Sequence, residues 1–174
     1  VRSMPKAIYT SKNIGHFGLA FDHYTHFTSP IRRYADVLVH RKLNSVLNKG
    51  INFDKFQLED RCEHISKQEK KAMEAERTAT KFMKVLFMED KVGQTFDGII
   101  SGIMEWGFFV EVIENTCEGA VRIGDCLDEP FYLDPAEYCF TGHNTGKKYR
   151  IGDQVKVKVK AVDIDKRTID FKLV

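Results

Sequence analysis

The chain has 174 residues, 43% hydrophobic and 30% charged, a balance that excludes a disordered polymer and is enough for one or two packed domains. Its formal charge of +2 excludes a uniformly basic nucleic-acid sponge. No apolar run reaches membrane-spanning length, so no membrane partner is expected. The overall balance hides an asymmetry: residues 1–90 hold 16 Lys/Arg against 11 Asp/Glu, whereas residues 91–174 hold 11 against 14. Binding of an anion by the second half must therefore come from a local face. Cys62, Cys117, Cys126 and Cys139 show neither a C-x-x-C pair nor zinc-ribbon spacing, which points to reduced thiols and a cytoplasmic setting. The chain opens on Val1 rather than methionine, so a piece of something longer is expected.

Residues 18–21 read as a short buried strand. It leads into His26-Phe27-Thr28-Ser29-Pro30-Ile31-Arg32-Arg33-Tyr34, where Ser29 has the chemistry of an N-cap and Pro30 that of a first helical residue. Arg32 and Arg33 then fall in the first turn, where a cation meets the positive end of the helix at a cost of roughly 0.3–1 kcal/mol. Local rules are broken preferentially at functional sites. A helix start reinforced by guanidinium groups is a cradle for phosphate. The competing reading is that Asp36, three and four residues on, pairs with both arginines along the helix.

Apolar residues at helical spacing (Ile31, Tyr34, Ala35, Leu38, Val39, Leu43, Val46, Leu47) continue that helix, with a C-cap over residues 48–50. A second helix is predicted over 54–64, with Phe56 and Ile65 facing inward. Ser66-Lys67-Gln68-Glu69 has the form of a capping box that starts a third, long helix to about Met88. Ala72, Ala75, Ala79, Phe82 and Leu86 recur on one face of it.

At Lys91 the period changes. Strands are predicted over 95–103, 106–112, 119–123, 154–162 and 168–174. In the fourth, Val155, Val157 and Val159 alternate with Lys156, Lys158 and Lys160. Five short strands with glycines at the bends predict a small closed barrel of OB type. The connection over 124–150 is long enough to be functional or to hold structure of its own. The fold class is thus α+β: a mostly helical part over 1–90, then a five-stranded barrel over 91–174.

Single-stranded RNA is held by stacking bases on exposed aromatic rings and by cations along the backbone. Trp106-Gly107-Phe108-Phe109-Val110 offers rings, and Arg122, Lys156, Lys158 and Arg167 offer charge. For any one ring taken alone, the barrel core is the competing destination. The combination of residues 98–101, 106–110, 118–121 and 157–163 with Arg167 resembles the S1 RNA-binding domain throughout its length. That resemblance implies that Trp106 and Phe109 line an RNA-facing surface, and that Asp163 and Arg167 match an Asp–Arg pair of that family. Arg122 stands where the family has histidine.

Arg2-Ser3-Met4, Gly15-His16-Phe17-Gly18-Leu19-Ala20, the run from Tyr24 to Asp36, and His40-Arg41 resemble the end of the catalytic RNB domain of the ribonuclease II family. An S1 domain directly after the long RNB helix is that family's arrangement. The resemblance implies processive 3′→5′ hydrolysis of single-stranded RNA to nucleoside 5′-monophosphates, with magnesium held by an aspartate cluster. It casts Arg32 as the catalytic donor to phosphate and Arg33 as a second RNA contact or a partner of Asp36. Ribosomes or RNA-decay factors are further partners it implies. His26-Phe27-Thr28 and Arg33-Tyr34 favour the branch of the family that degrades structured RNA. No matching aspartate cluster exists here, since Asp22 and Asp36 are isolated. These 174 residues are therefore expected to bind RNA without hydrolysing it and to hold no metal.

His23 and His26 lack the helical spacing of a metal pair and have no nearby cysteine, so hydrogen-bonded loop histidines are expected. No third group is evident that would orient a nucleophilic Cys–His pair. The remaining alternative is a non-catalytic S1-domain adaptor that binds RNA or ribosomes. The Ser29–Arg32 motif separates the two, because an adaptor has no use for a catalytic phosphate grip.

Overall fold

The structure, a computed structural model, describes residues 6–48, 55–125, 130–135 and 137–174. The motif at Arg2-Ser3-Met4, the end of the expected C-cap at 49–50, and the expected helix start at Asp54 lie outside these. The chain divides into two compact units, Val1–Glu76 and Arg77–Val174.

In the first unit, residues 18–21 do not form a buried strand. A 3-10 turn spans Phe17–Leu19, and Ala20 sits in the left-handed region at φ 55°, which no strand residue adopts. His16 and Phe21 close this turn as an isolated bridge. Helix α1 spans Tyr34–Leu47 and begins later than the proline predicts, because Arg33 is extended at φ −121°, ψ 112°. Its C-cap is Asn48, whose N–H donates to Asn44 O at 3.0 Å.

Helix α2 spans Lys55–Glu89 without a break. The capping box predicted at Ser66 is not formed: the Ser66 hydroxyl donates back to Cys62 O at 2.9 Å and accepts from Tyr9 N–H at 3.0 Å. A serine that bonds the carbonyl four residues earlier stays helical. The predicted inward face is also corrected, since Phe56, Ala72, Ala75, Ala79, Phe82 and Leu86 are exposed. Cys62, Val85 and Met88 are the buried positions among the described residues of the helix, and the last two, three residues apart, join the core of the second unit.

The second unit carries β1 (Thr95–Met104), β2 (Gly107–Val112), β3 (Glu118–Arg122), β4 (Phe131–Asp134), β5 (Cys139–Gly142), β6 (Lys148–Arg150), β7 (Gln154–Asp163) and β8 (Thr168–Leu173). Strands β1-β2-β3-β8-β7 close a barrel in that order. Pairing is antiparallel except between β3 and β8. Alternation places Ile100, Phe108, Val110, Val121, Val157, Val159 and Phe171 inside. Gly119 leaves room for one of them, since a Cβ there would lie 2.6 Å from the Phe171 ring. Strands β4, β5 and β6 form a separate antiparallel sheet within the long connection. Its Phe140 and Tyr149 are buried against the barrel, Tyr149 stacking on Phe108 at 5.6 Å.

Candidate nucleic-acid interface

The turn that carries Arg32 is built from its own backbone. Arg32 N–H and Arg33 N–H both donate to Ser29 O, at 3.3 and 3.0 Å, closing a single turn that does not continue into α1. Ser29 is therefore not the N-cap, and Arg32 and Arg33 do not lie in the first turn of the helix. Asp36 does, as the third helical residue, where a carboxylate meets the positive helix end. Its Oδ2 accepts from Ser29 N–H at 2.6 Å and from Arg33 Nη2 at 3.1 Å. The Asp36 side chain is 0% exposed and that of Arg33 20%. Asp36 thus takes one arginine rather than both. The Arg32 side chain is exposed and makes no hydrogen bond or ion pair among the described residues.

Burial opposes ionisation of Asp36, but the Ser29 N–H and the Arg33 guanidinium outweigh it and hold the carboxyl below its usual range. Glu59 is held low too, by the Ser11 hydroxyl, the Ser11 N–H at 2.8 Å and the Thr10 hydroxyl at 2.8 Å. A carboxyl with a depressed folded pKa stabilises the fold above its unfolded value and loses that contribution as pH falls through the folded one. Thermal unfolding of residues 1–76 should accordingly shift downward below about pH 4. Calorimetry across pH checks this, and Glu59→Gln should flatten part of the dependence.

The other groups in this unit are occupied structurally. His23 Nδ1 lies 2.7 Å from Asn13 Nδ2 and 2.8 Å from Asp22 O, and His26 Nδ1 lies 2.7 Å from the Tyr9 hydroxyl. Burial and then the Glu69 carboxylate push the Tyr9 phenol up. A cavity of about 380 Å³ between α1 and α2 is lined mainly by aliphatic chains such as Leu38, Val46, Leu58 and Ile65, and polar groups do not converge on it as at a specific ligand site.

On the barrel, alternation turns Phe109 outward between small neighbours. It pairs with Gly102 on β1 and Ala120 on β3, so no large cross-strand side chain covers its ring. Trp106, 48% exposed in the β1–β2 turn, meets Phe109 edge-to-face at 5.5 Å. Phe108 is the ring of this motif that goes to the core. Arg122 pairs with Gly107 and is exposed. Lys158 on β7 lies directly opposite Lys172 on β8, a like-charge pair that costs a few tenths of a kcal/mol or more without an anion. Arg122 and Lys172 each follow the last pair of the β3–β8 ladder, so the three cations form a row. Acidic side chains lie on the same face: Asp170 on β8 is opposite Ala120, the partner of Phe109, Glu111 faces Glu118 one outward position from Phe109, and Asp97 pairs with Lys156 at 3.6 Å beside the Thr95–Lys158 pair.

Asp163 and Arg167 both lie at the β7–β8 turn. Asp163 accepts from Lys166 N–H at 2.8 Å and pairs with its ammonium at 3.2 Å, which together hold its carboxyl below the usual range. Arg167 is exposed with φ 54°. Lys172 is the member of the surface that the sequence reading passed over, although the alternation Thr168, Asp170, Lys172 marks it as outward.

Two tests of magnesium fit fail. Asp36 is committed to Ser29 and Arg33. The one cluster with metal-ligand spacing among the described residues, Asp134, Glu137 and Cys139, includes a thiol and a carboxylate already bound by Lys148 at 2.5 Å and Arg150 at 3.0 Å. Magnesium favours oxygen ligands free to bind it.

The RNB domain family model matches residues 1–49, and the S1 RNA binding domain model matches residues 89–173. Ribonuclease R of Aquifex aeolicus is 44% identical over 177 residues, covering 100% of this chain and 25% of that protein. Ribonuclease R of Escherichia coli is 38% identical over 186 residues, covering 100% and 23%. The apo form of Mycoplasma genitalium RNase R superposes with a TM-score of 0.88 at 31% identity, over 100% of this chain and 28% of that one. The same enzyme in complex with ribose methylated single-stranded RNA gives the same values. The chain spans about a quarter of the length of these curated relatives. The chain thus carries an RNB segment followed by an S1 RNA-binding barrel, and it is homologous to part of ribonuclease R along all of its own length.

Proposed function

We propose that these residues serve a 3′→5′ exoribonuclease as an RNA-holding barrel and a phosphate-gripping arginine, and that alone they bind RNA without turnover. The observation that carries this reading is the outer strip of the barrel. Two neighbouring outward rings, exposed Trp106 and half-exposed Phe109, share it with the cationic row Arg122, Lys172 and Lys158. Bases stack on the rings, and phosphates relieve the repulsion between the lysines. Asp163 shapes the β7–β8 turn so that Arg167 reaches the same polyanion.

In the first unit, Arg32 donates a planar pair of N–H groups to non-bridging phosphate oxygens. Its worth rises as negative charge builds on the attacked phosphorus. Arg33 acts on RNA through the turn, because its guanidinium is engaged by Asp36. When magnesium is bound in such an enzyme it activates water and neutralises phosphate charge, but the carboxylates described here do not fit its site. The released products are nucleoside 5′-monophosphates. Free thiols at Cys62, Cys117 and Cys139 support a reducing compartment such as the cytoplasm.

Salt titration tests the barrel reading. Affinity for single-stranded oligoadenylate should fall linearly on a log–log plot. Replacing Arg122, Lys158 or Lys172 by alanine should each reduce the slope by about 0.7. Slopes unchanged in all three variants would remove the strip from the interface.

A further inference from the structure

We propose that Asp36 is the positioning residue for Arg32: one buried carboxylate ties down both ends of the turn that presents the phosphate-gripping guanidinium. This deepens the reading above and rests on it. A fully buried carboxylate is rare unless its partners are specific. Here both partners belong to the presenting turn, Ser29 N–H at its start and the Arg33 guanidinium at its end. Ser29 in turn receives the Arg32 and Arg33 amides on its carbonyl. The path is short and continuous: Asp36 fixes Ser29, and Ser29 fixes the backbone of Arg32.

The division of labour between the arginines follows. Arg33, half the apparent phosphate motif, is spent on the carboxylate, and this leaves Arg32 alone to project outward. The other carboxylate oxygen, Oδ1, and Arg33 Nε are buried without partners among the described residues, so within these the constraint runs through Oδ2. An asparagine at 36 keeps the volume and one acceptor for Ser29 N–H, but it presents no charge to Arg33. The turn would keep its start and lose its end. Displacement of a catalytic donor by an ångström costs up to about two orders of magnitude, so a half-tethered turn is a sensitive device.

The probe is adenylyl-(3′→5′)-adenosine, which carries a single phosphodiester, titrated into the 174-residue chain. The Arg32 Nε–Hε resonance reports on the turn, the Trp106 indole N–H on the barrel, and the α1 amides on the fold. In the unaltered chain the Arg32 signal should move and saturate. In Asp36→Asn its midpoint should rise about two- to threefold, no more than removal of the Arg32 side chain would raise it, with the Trp106 midpoint and the α1 amides unchanged. An equal Arg32 midpoint in the variant, with α1 intact, overturns the positioning role. An Arg32 signal that never responds, even in the unaltered chain, overturns the phosphate reading instead. Should Asp36→Asn lose the α1 amide dispersion, Arg33→Lys decides: it keeps the charge but not the guanidinium fork, and an unchanged Arg32 midpoint there overturns the proposal.

Discussion

Arg32→Ala, introduced into an active ribonuclease R chain that carries this segment, should lower turnover by about two to three orders of magnitude while changing apparent RNA affinity only a few fold. The asymmetry follows from what the side chain does. An exposed arginine with no partner among the described residues gains little from a resting phosphodiester that water already solvates. It gains more as the attacked phosphorus acquires charge, and the turn at Ser29 fixes the backbone from which it projects. Single-turnover measurements separate the two effects. Equal losses in turnover and affinity would reduce Arg32 to an RNA anchor. Arg32→Lys should recover only part of the rate, since a point charge cannot reproduce the planar fork.

Phe109→Ala should weaken oligoadenylate binding by about 1–3 kcal/mol, the worth of one stacked base, with little loss of stability. The structure explains why stability is spared. Phe109 is half-exposed and flanked by Gly102 and Ala120, so its ring does not fill the barrel. Phe108, its neighbour in sequence, is fully buried and stacks on Tyr149. Phe108→Ala should instead unfold the barrel before any binding defect can be measured, at a cost of about 3–5 kcal/mol. Equilibrium binding and denaturant unfolding on the two variants distinguish platform from core.

The barrel was legible in the sequence because alternation leaves a direct trace. Val155, Val157 and Val159 against Lys156, Lys158 and Lys160 place β7 and both its faces, and the five barrel strands fall within two residues of their expected bounds. The start of α1 was not legible. Ser29 and Pro30 have the local chemistry of a helix start, but a buried carboxylate seven residues on captures the Ser29 N–H and draws the helix start to Tyr34. The single course of α2 was hidden for a similar reason: Ser66 fits a cap by type, yet its hydroxyl bonds back to Cys62. The sheet of β4, β5 and β6 has strands of four, four and three residues, too short for a period to show, and only the aromatic content of that connection hinted at a buried face. On the candidate strip, the resemblance to the S1 domain pointed to Trp106, Phe109 and Arg122, whereas the cross-strand register was needed to bring Lys172 beside Lys158.

Trp106 is the single tryptophan of the chain, so intrinsic fluorescence reads one point on the proposed RNA-holding strip. Titration with single-stranded oligoadenylate at low salt should quench it to saturation, with a midpoint that rises steeply as salt is added. Saturable binding seen by anisotropy of a labelled oligonucleotide, with Trp106 emission unmoved throughout, would put the RNA elsewhere and contradict the account.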